Sequence, residues 1–355
     1  MRISVLLPVY NAAATIDAAL RSILQQDISN FELIVVDDGS TDGTSPVLER
    51  LVAAGGGPGA GGHTPDDHRV GAGPHLTVIR TAHRGLVPAL TTGWEASRGQ
   101  YIARMDADDT CDPARLRLQA DFLDSHPEIG VVGTAATMPP NADNEGYRRY
   151  TRWVNGLHHW RQIRRAQFIE SPLIHPTVMF RREVMERCGG YREGPFPEDY
   201  ELWLRWFSQG VRAAALSQPL LTWNDFPGRV SRTPAAVQSR DSFYRVKGSY
   251  LARAVEQHRQ GRPILIWGAG RRTRRRMESF GTALSTPIAA FIDLREAPAA
   301  PFLQETYPVL SPERVPPPKD AYIVAAVGSR GVRGRIAAFL ARRGYRYERD
   351  WIAAG

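Results

Sequence analysis

Cysteine is nearly absent. Cys111 and Cys188 are the only two in the 355-residue chain, and they lack metal-ligand spacing. That excludes a disulfide framework and a zinc knuckle, and it suits a reducing compartment such as the cytoplasm. Long apolar runs are missing too. No span approaches the ~20 residues needed to cross a bilayer, so no transmembrane segment is expected. The opening MRISVLLPVYN has one positive charge and an apolar run too short for a signal peptide, and it reads as a first strand. Acidic residues are the minority, 37 against 45 Lys and Arg, for a formal net charge of +8. Such a balance fits an anionic substrate, an anionic membrane surface or a merely solvated arginine-rich face. No nucleic-acid recognition motif accompanies it, so nucleic acid is not an expected partner.

What is present describes an ordinary globular chain, 43% hydrophobic and 23% charged, long enough for two domains. Ile3–Val9 and residues 31–36 are continuous apolar strand signals. A helical stripe of Ile16, Leu20, Ile23 and Leu24, with Thr15 as a candidate cap, separates them. Another helix starts near Pro46, and strands follow at 76–79, 101–105 and 129–132. Strands alternating with helices predict a mostly parallel α/β sheet. Residues 53–75, rich in Gly, Pro, His and Asp, have too little apolar surface to order themselves and read as a disordered insertion. Residues 139–160 read as an irregular polar and aromatic loop of the kind that carries specificity. The βαβ pattern restarts at Pro263. The expected division is therefore a first domain over 1–230, a helical linker over 231–262 and a small Rossmann-like α/β domain over 263–355. Gly268-Ala269-Gly270 after a strand, with Asp293 further on, is an incomplete dinucleotide fingerprint, because Thr273 stands where a third glycine belongs.

The densest chemistry lies where the strand starting at Tyr101 releases Asp106, Asp108 and Asp109. Ligands bind at that end of strands in open α/β sheets. Three carboxylates in four residues repel one another unless something positive lies between them. Mg2+ or Mn2+ would serve, since Mg2+ takes one or two carboxylates plus phosphate oxygens. Turn chemistry is the alternative, and Asp112-Pro113 does read as a helix N-cap followed by Pro. A second acidic cluster, Glu198-Asp199, opens a later helix, where the macrodipole alone would favour acidic residues.

Five stretches in this order, Pro8-Val9-Tyr10-Asn11, residues 35–42 (VVDDGSTD), Asp106-Ala107-Asp108-Asp109, His175-Pro176 and Glu198-Asp199, resemble the inverting, metal-dependent glycosyltransferases of family 2. The resemblance covers roughly residues 1–230. It implies a GT-A fold and transfer of a sugar from a nucleotide-diphosphate donor, UDP-linked by expectation, to a hydroxyl of a glycan or lipid-linked acceptor. It implies that Asp38 bonds the base beside Pro8 and Tyr10, that Asp106 holds the ribose and metal region, and that Asp108 ligates the metal. Asp199 would be the general base, with Glu198 bonding the acceptor or tuning it. His175 and Arg232 are candidates for acceptor or phosphate contacts. His83 and Thr91 stand where the family often has Asn. The C-terminal layout resembles the small N-terminal domain of bacterial sugar acyltransferases, with either ligand binding or a structural role implied. The expected setting is the cytoplasm, with peripheral association at the cytoplasmic face of a membrane. A catalytically silent sugar-nucleotide-binding regulator is the alternative, and the presence of Asp38, Asp108 and Asp199 speaks against it.

Overall fold

The structure, a computed structural model, describes residues 2–54, 66–69, 74–139, 145–224, 234–294, 299–329 and 331–355. In chain order the elements are β1 (Ile3–Val9), α1 (Ile16–Leu24), β2 (Phe31–Asp37), α2 (Thr44–Ala54), β3 (Asp66–Arg69), β4 (His75–Arg80), α3 (Leu86–Ala96), β5 (Tyr101–Arg104), β6 (Thr110–Cys111) and α4 (Arg115–Ser125). They continue with β7 (Val131–Thr137), α5 (Glu145–Val154), α6 (Trp160–Ala166), β8 (Met179–Arg181), α7 (Arg182–Cys188), α8 (Glu198–Ser208), β9 (Ala213–Thr222) and α9 (Pro234–Arg259). The last are β10 (Ile264–Trp267), α10 (Arg271–Ala283), β11 (Ile288–Ile292), β12 (Ala299–Phe302), β13 (Glu305–Leu310), β14 (Tyr322–Ala325), α11 (Val332–Arg342) and β15 (Trp351–Ala353).

The chain forms two compact units: residues 1–163, 172–193 and 209–229, and residues 164–171, 194–208 and 230–355. The first is built on a nine-stranded sheet in the order β3-β4-β2-β1-β5-β8-β7-β9-β6. Strands β1, β2, β4 and β5 are parallel. Strand β8 runs antiparallel to both β5 and β7. Every residue of β1 and β2 is buried, as expected for parallel strands covered on both faces. One face packs Val5, Leu7 and Val35 against Leu20, Ile23 and Leu116 of α1 and α4. On the other, α3 approaches closely: a Cβ on Gly93 would lie 3.3 Å from Val36. The chain winds from β1 outward through β2 and β4, then crosses back to β5 on the far side of β1. That reversal opens a crevice at the carboxyl ends of β1 and β5.

Several local expectations are revised. Within the segment expected to be disordered, residues 66–69 form β3, antiparallel to β4. Backbone pairing with an open sheet edge does not need apolar side chains. The rest of that segment, apart from its two ends, lies outside the described residues. Residues 139–160 are not a loop throughout: α5 and the start of α6 lie there. Tyr147, Tyr150, Thr151 and Val154 recur at i, i+3, i+4 and i+7, a helical stripe made mostly of residues that count as polar. Tyr147 and Tyr150 meet Trp223 edge-on at ring separations of 5.2 and 6.0 Å. Asp112 caps a turn rather than a helix, accepting from the Ala114 N–H while α4 begins at Arg115.

The second unit holds a six-stranded sheet, β12-β13-β11-β10-β14-β15, parallel except for the β12–β13 hairpin. Its division differs from the sequence expectation. Leu251, Ala252 and Val255 of α9 are buried with Ile266, Phe280 and Phe291, so the expected linker helix contributes to the core. Phe168, Tyr200 and Leu204 belong to the same core, which places α8 in this unit. On the opposite face, Ile336 and Leu340 of α11 pack against Leu265, Ile323 and Trp351.

Buried in this unit is Lys247, whose Nζ donates to the Ala354 carbonyl at 2.9 Å and lies 4.9 Å from the Tyr244 ring centre. Burial lowers its pKa from 10.5 to about 8, with Glu170 opposing the shift. Between those values the unfolded chain binds a proton that the folded chain has released, so stability rises with pH in that window. The full effect is on the order of 3 kcal/mol, present as a cost below about pH 8. The unfolding temperature should rise from pH 7.5 to 9.5, and Lys247→Met should flatten that rise; an equal rise in the variant would remove Lys247 as the cause.

Candidate active site

Two loops, one after β1 and one after β2, are stitched together by their own side chains. The Asn11 N–H donates to Ser40 Oγ (3.0 Å), and the Thr41 N–H donates to Asn11 Oδ1 (2.8 Å). Ala12 and Ala13 N–H groups donate to Thr44 Oγ1 and Asp42 Oδ2. Asn11 takes φ +48°, a left-handed conformation that Asn tolerates better than most residues. Gly39 takes φ +72°, and a Cβ there would sit 2.6 Å from the His83 nitrogen, so only glycine fits. Asp37 holds the turn from below, accepting from the Ser40 N–H and Ser45 Oγ. The residues 35–42 motif is thus first a device for shaping this crevice.

Asp38 is buried, and four donors converge on its carboxylate. Thr81 Oγ1 (3.3 Å) and the Arg84 N–H (2.9 Å) reach Oδ1; the Gly85 N–H (2.7 Å) and His83 Nδ1 (2.9 Å) reach Oδ2. A carboxylate offers about four lone-pair sites, so a nucleobase N–H would have to displace one of these donors. His83 Nδ1 also lies 3.1 Å from the Asp38 carbonyl oxygen. Both neighbours accept, so Nδ1 carries the hydrogen. The His83 ring stacks on exposed Tyr10 at 3.8 Å, 16° from parallel. Pro8, buried in β1, leads into this end of the strand.

Asp106, Asp108 and Asp109 follow β5 across the same crevice, one carboxylate oxygen of each lying within 4.8 Å of the others. Arg104, the charged break in an otherwise apolar strand, is buried and pairs through Nη2 with Asp106 Oδ1 at 2.5 Å. Asp109 is fully buried and its Oδ1 accepts the Asn224 N–H (2.9 Å), while Asn224 Nδ2 donates to the Asp108 carbonyl (2.8 Å). Asn224 carried no sequence signal, because it approaches from the end of β9. Arg104 did carry one: a charge inside a buried strand requires a partner. The clustered oxygens, of mixed burial, fit a hard divalent cation such as Mg2+ or Mn2+.

His175 lies in a 3-10 turn (His175–Thr177), buried, with Nε2 2.8 Å from the Tyr191 hydroxyl. Burial first, and the Arg104 charge second, hold its pKa well below the usual histidine value. It is a neutral imidazole, not a cation for phosphate. Glu198 and Asp199 open α8 in the second unit, both half-buried, with Asp199 Oδ1 accepting the Tyr200 N–H at 2.7 Å. Glu201, one turn on, is buried against Arg205 Nε (3.0 Å) and the Tyr250 hydroxyl (2.7 Å), an anchor for the helix. Arg232 lies outside the described residues.

Comparison with known proteins agrees with this geometry. The chain is 30% identical over 224 residues to EpsE of Bacillus subtilis (strain 168), covering 62% of this chain and 71% of that one. It is 30% identical over 220 residues to the amylovoran biosynthesis glycosyltransferase AmsE of Erwinia amylovora, covering 61% and 74%. Among solved structures, S. aureus TarS residues 1–349 share the fold with a TM-score of 0.54 at 18% identity, over 79% of this chain and 70% of that one. The mannosyltransferase PcManGT of Pyrobaculum calidifontis, solved with GDP-Man and Mn2+, gives 0.51 at 22% identity, over 72% and 64%. The first unit is accordingly of GT-A type. The model of the family named Glycosyl transferase family 2 matches residues 4–189, more than half of the 355-residue chain. On that match the chain belongs to glycosyl transferase family 2 and is a glycosyltransferase.

Proposed function

We propose that the protein is a metal-dependent, inverting enzyme that moves a sugar from a UDP-linked donor to a hydroxyl of a growing glycan or lipid-linked acceptor. The observation that carries this reading is the three-carboxylate cluster at the topological reversal beside β1, in a chain of this family. Asp108, with Asp106 beside it, would hold the cation; when bound, that cation neutralises charge developing on the departing diphosphate. The Tyr10–His83 stack forms a wall beside which a base can lie, and Asp38 keeps that wall in place through the 81–85 turn. Asp199 takes the proton of the acceptor hydroxyl, with Glu198 as its neighbour on the acceptor side. A single carboxylate base opposite the leaving group is what one in-line displacement requires, and one displacement inverts the anomeric carbon. AmsE, named for amylovoran biosynthesis, supports a polysaccharide setting.

For the second unit we propose a scaffold role. In its Gly268-Ala269-Gly270 turn, the Ala269 N–H donates to Asp293 Oδ2 at 2.8 Å, so the acidic residue of the incomplete fingerprint is engaged by its own loop. Work at the cytoplasmic face of a membrane belongs to the same proposal. It rests on the net charge of +8 and on a sequence with only two cysteines; among the described residues no helix is long and apolar enough to cross a bilayer.

The test is a panel of UDP-, GDP- and dTDP-sugars incubated with Mn2+ and, separately, with a chelator. UDP release from at least one UDP-sugar, abolished by the chelator, is expected. Release that is indifferent to the chelator would end the metal reading, and release from GDP-sugars alone would end the UDP reading.

A further inference from the structure

A guanidinium held under a cation site needs an account, because a fixed positive charge beside carboxylates lowers their affinity for a metal ion. Arg104 is held rigidly. Its N–H donates to the Val178 carbonyl (3.0 Å), its own carbonyl accepts from Arg115 Nη2 (2.8 Å), and its side chain is 3% exposed. Arg115 is buried in turn and is fixed by Gln119 Oε1 at 3.1 Å from its Nε. Gln119 is anchored through Nε2 to the carbonyls of Val132 and Thr177, both at 2.9 Å. The arrangement runs through β5, α4, β7 and the turn before β8, all elements of one unit. At its upper end, Arg104 Nη2 is 2.5 Å from Asp106 Oδ1.

We propose that Arg104 is the positioning residue of the metal site: it ties Asp106 in place, directs the cation to Asp108, and makes metal binding depend on the nucleotide. The inference rests on the metal-dependent reading above. The guanidinium opposes a cation that binds alone, whereas a diphosphate brings further negative charge and oxygen ligands. Asp106 keeps its partner throughout and serves as a fixed acceptor beside the metal.

The test is calorimetric titration of Mn2+ into the full-length protein, with and without UDP. The parent should bind Mn2+ weakly alone and at least about tenfold more tightly with UDP present. Arg104→Met removes the charge and should bind Mn2+ alone at least about tenfold more tightly than the parent, with the UDP dependence reduced. Arg104→Lys keeps the charge and should stay within about threefold of the parent. A merely structural arginine would change folding without changing this Mn2+ response. If the parent binds Mn2+ with UDP but Arg104→Met gains no affinity for Mn2+ alone, Arg104 does not play this part. If neither protein binds Mn2+ under any condition, the metal-dependent reading falls first and this inference with it. Should Arg104→Met not fold, a crystal structure of the parent with Mn2+ and UDP decides. The Arg104–Asp106 pair should be intact there, and Asp106 found released from Arg104 and bound directly to Mn2+ would overturn the proposal.

Discussion

Asp108→Ala is expected to lower turnover by about 10³-fold or more and to weaken UDP binding only when Mn2+ is present. A fall of that size corresponds to about 4 kcal/mol of lost transition-state stabilisation. The reason is the placement of Asp108. It is half-buried beside Asp106 and Asp109, with an oxygen within 4.8 Å of theirs, and Asn224 holds its carbonyl. The backbone position should survive the substitution, because the bond from Asn224 uses main-chain oxygen. What is lost is a charged ligand at the point where the diphosphate would gather negative charge. The measurement is UDP affinity with Mn2+ and with a chelator, beside steady-state rates. Parent protein that binds UDP equally well in both conditions would show that no metal bridges donor and protein. Asp108→Ala with near-parental rates would remove Asp108 from the site.

Asp199→Asn should cut kcat by about 10²–10⁴-fold while leaving donor affinity nearly unchanged. Asparagine keeps the shape and can still accept the Tyr200 N–H that Asp199 Oδ1 accepts now. It can also bond an acceptor hydroxyl, but it cannot take the proton, and general-base loss typically costs about 3–5 kcal/mol of barrier. The helix should stand without the charge, because Glu201 bonds Arg205 and Tyr250 and Leu204 packs into the second unit's core. The contrast with Asp108→Ala is diagnostic, since that change should damage binding and rate together. Turnover near the parental value in Asp199→Asn would exclude it as the base. A product with retained anomeric configuration would overturn the single-displacement mechanism.

The local order of the chain decided a good deal by itself. Continuous apolar runs at residues 3–9 and 31–36 fit strands covered on both faces, as parallel, central strands are, and the fold has them there as β1 and β2. The alternation of those runs with helical stripes made the sheet α/β. The three carboxylates released after Tyr101–Arg104 marked the ligand end, because open α/β sheets bind ligands at the carboxyl ends of their strands. Where the pattern was weak, the same reasoning went astray. The stripe of α5 joins Tyr147, Tyr150 and Thr151 to a single aliphatic residue, Val154, and β3 is a backbone pairing with β4.

Only the tertiary structure decided how individual side chains are used. Asp38 reads in sequence as a residue facing the base; in the fold, Thr81, His83, Arg84 and Gly85 surround its carboxylate. Those donors lie more than forty positions along the chain, and β4 beside β2 brings them there. His175 reads as a candidate for an acceptor or phosphate contact; the fold buries it with Nε2 2.8 Å from the Tyr191 hydroxyl, and burial holds its pKa well below the usual histidine value. Asn224 meets the acidic cluster across some 115 residues of sequence. The placement of α8 in the second unit likewise follows from which apolar side chains Tyr200 and Leu204 meet. Periodicity reports which face of an element is apolar, since that depends on neighbours three or four residues away. It does not report what lies opposite that face, because burial energy depends on area removed from water and not on which residue removes it. The partners of Arg104, Asp38 and Asp109 were therefore settled by topology, and the chemistry of the site depends on those partners.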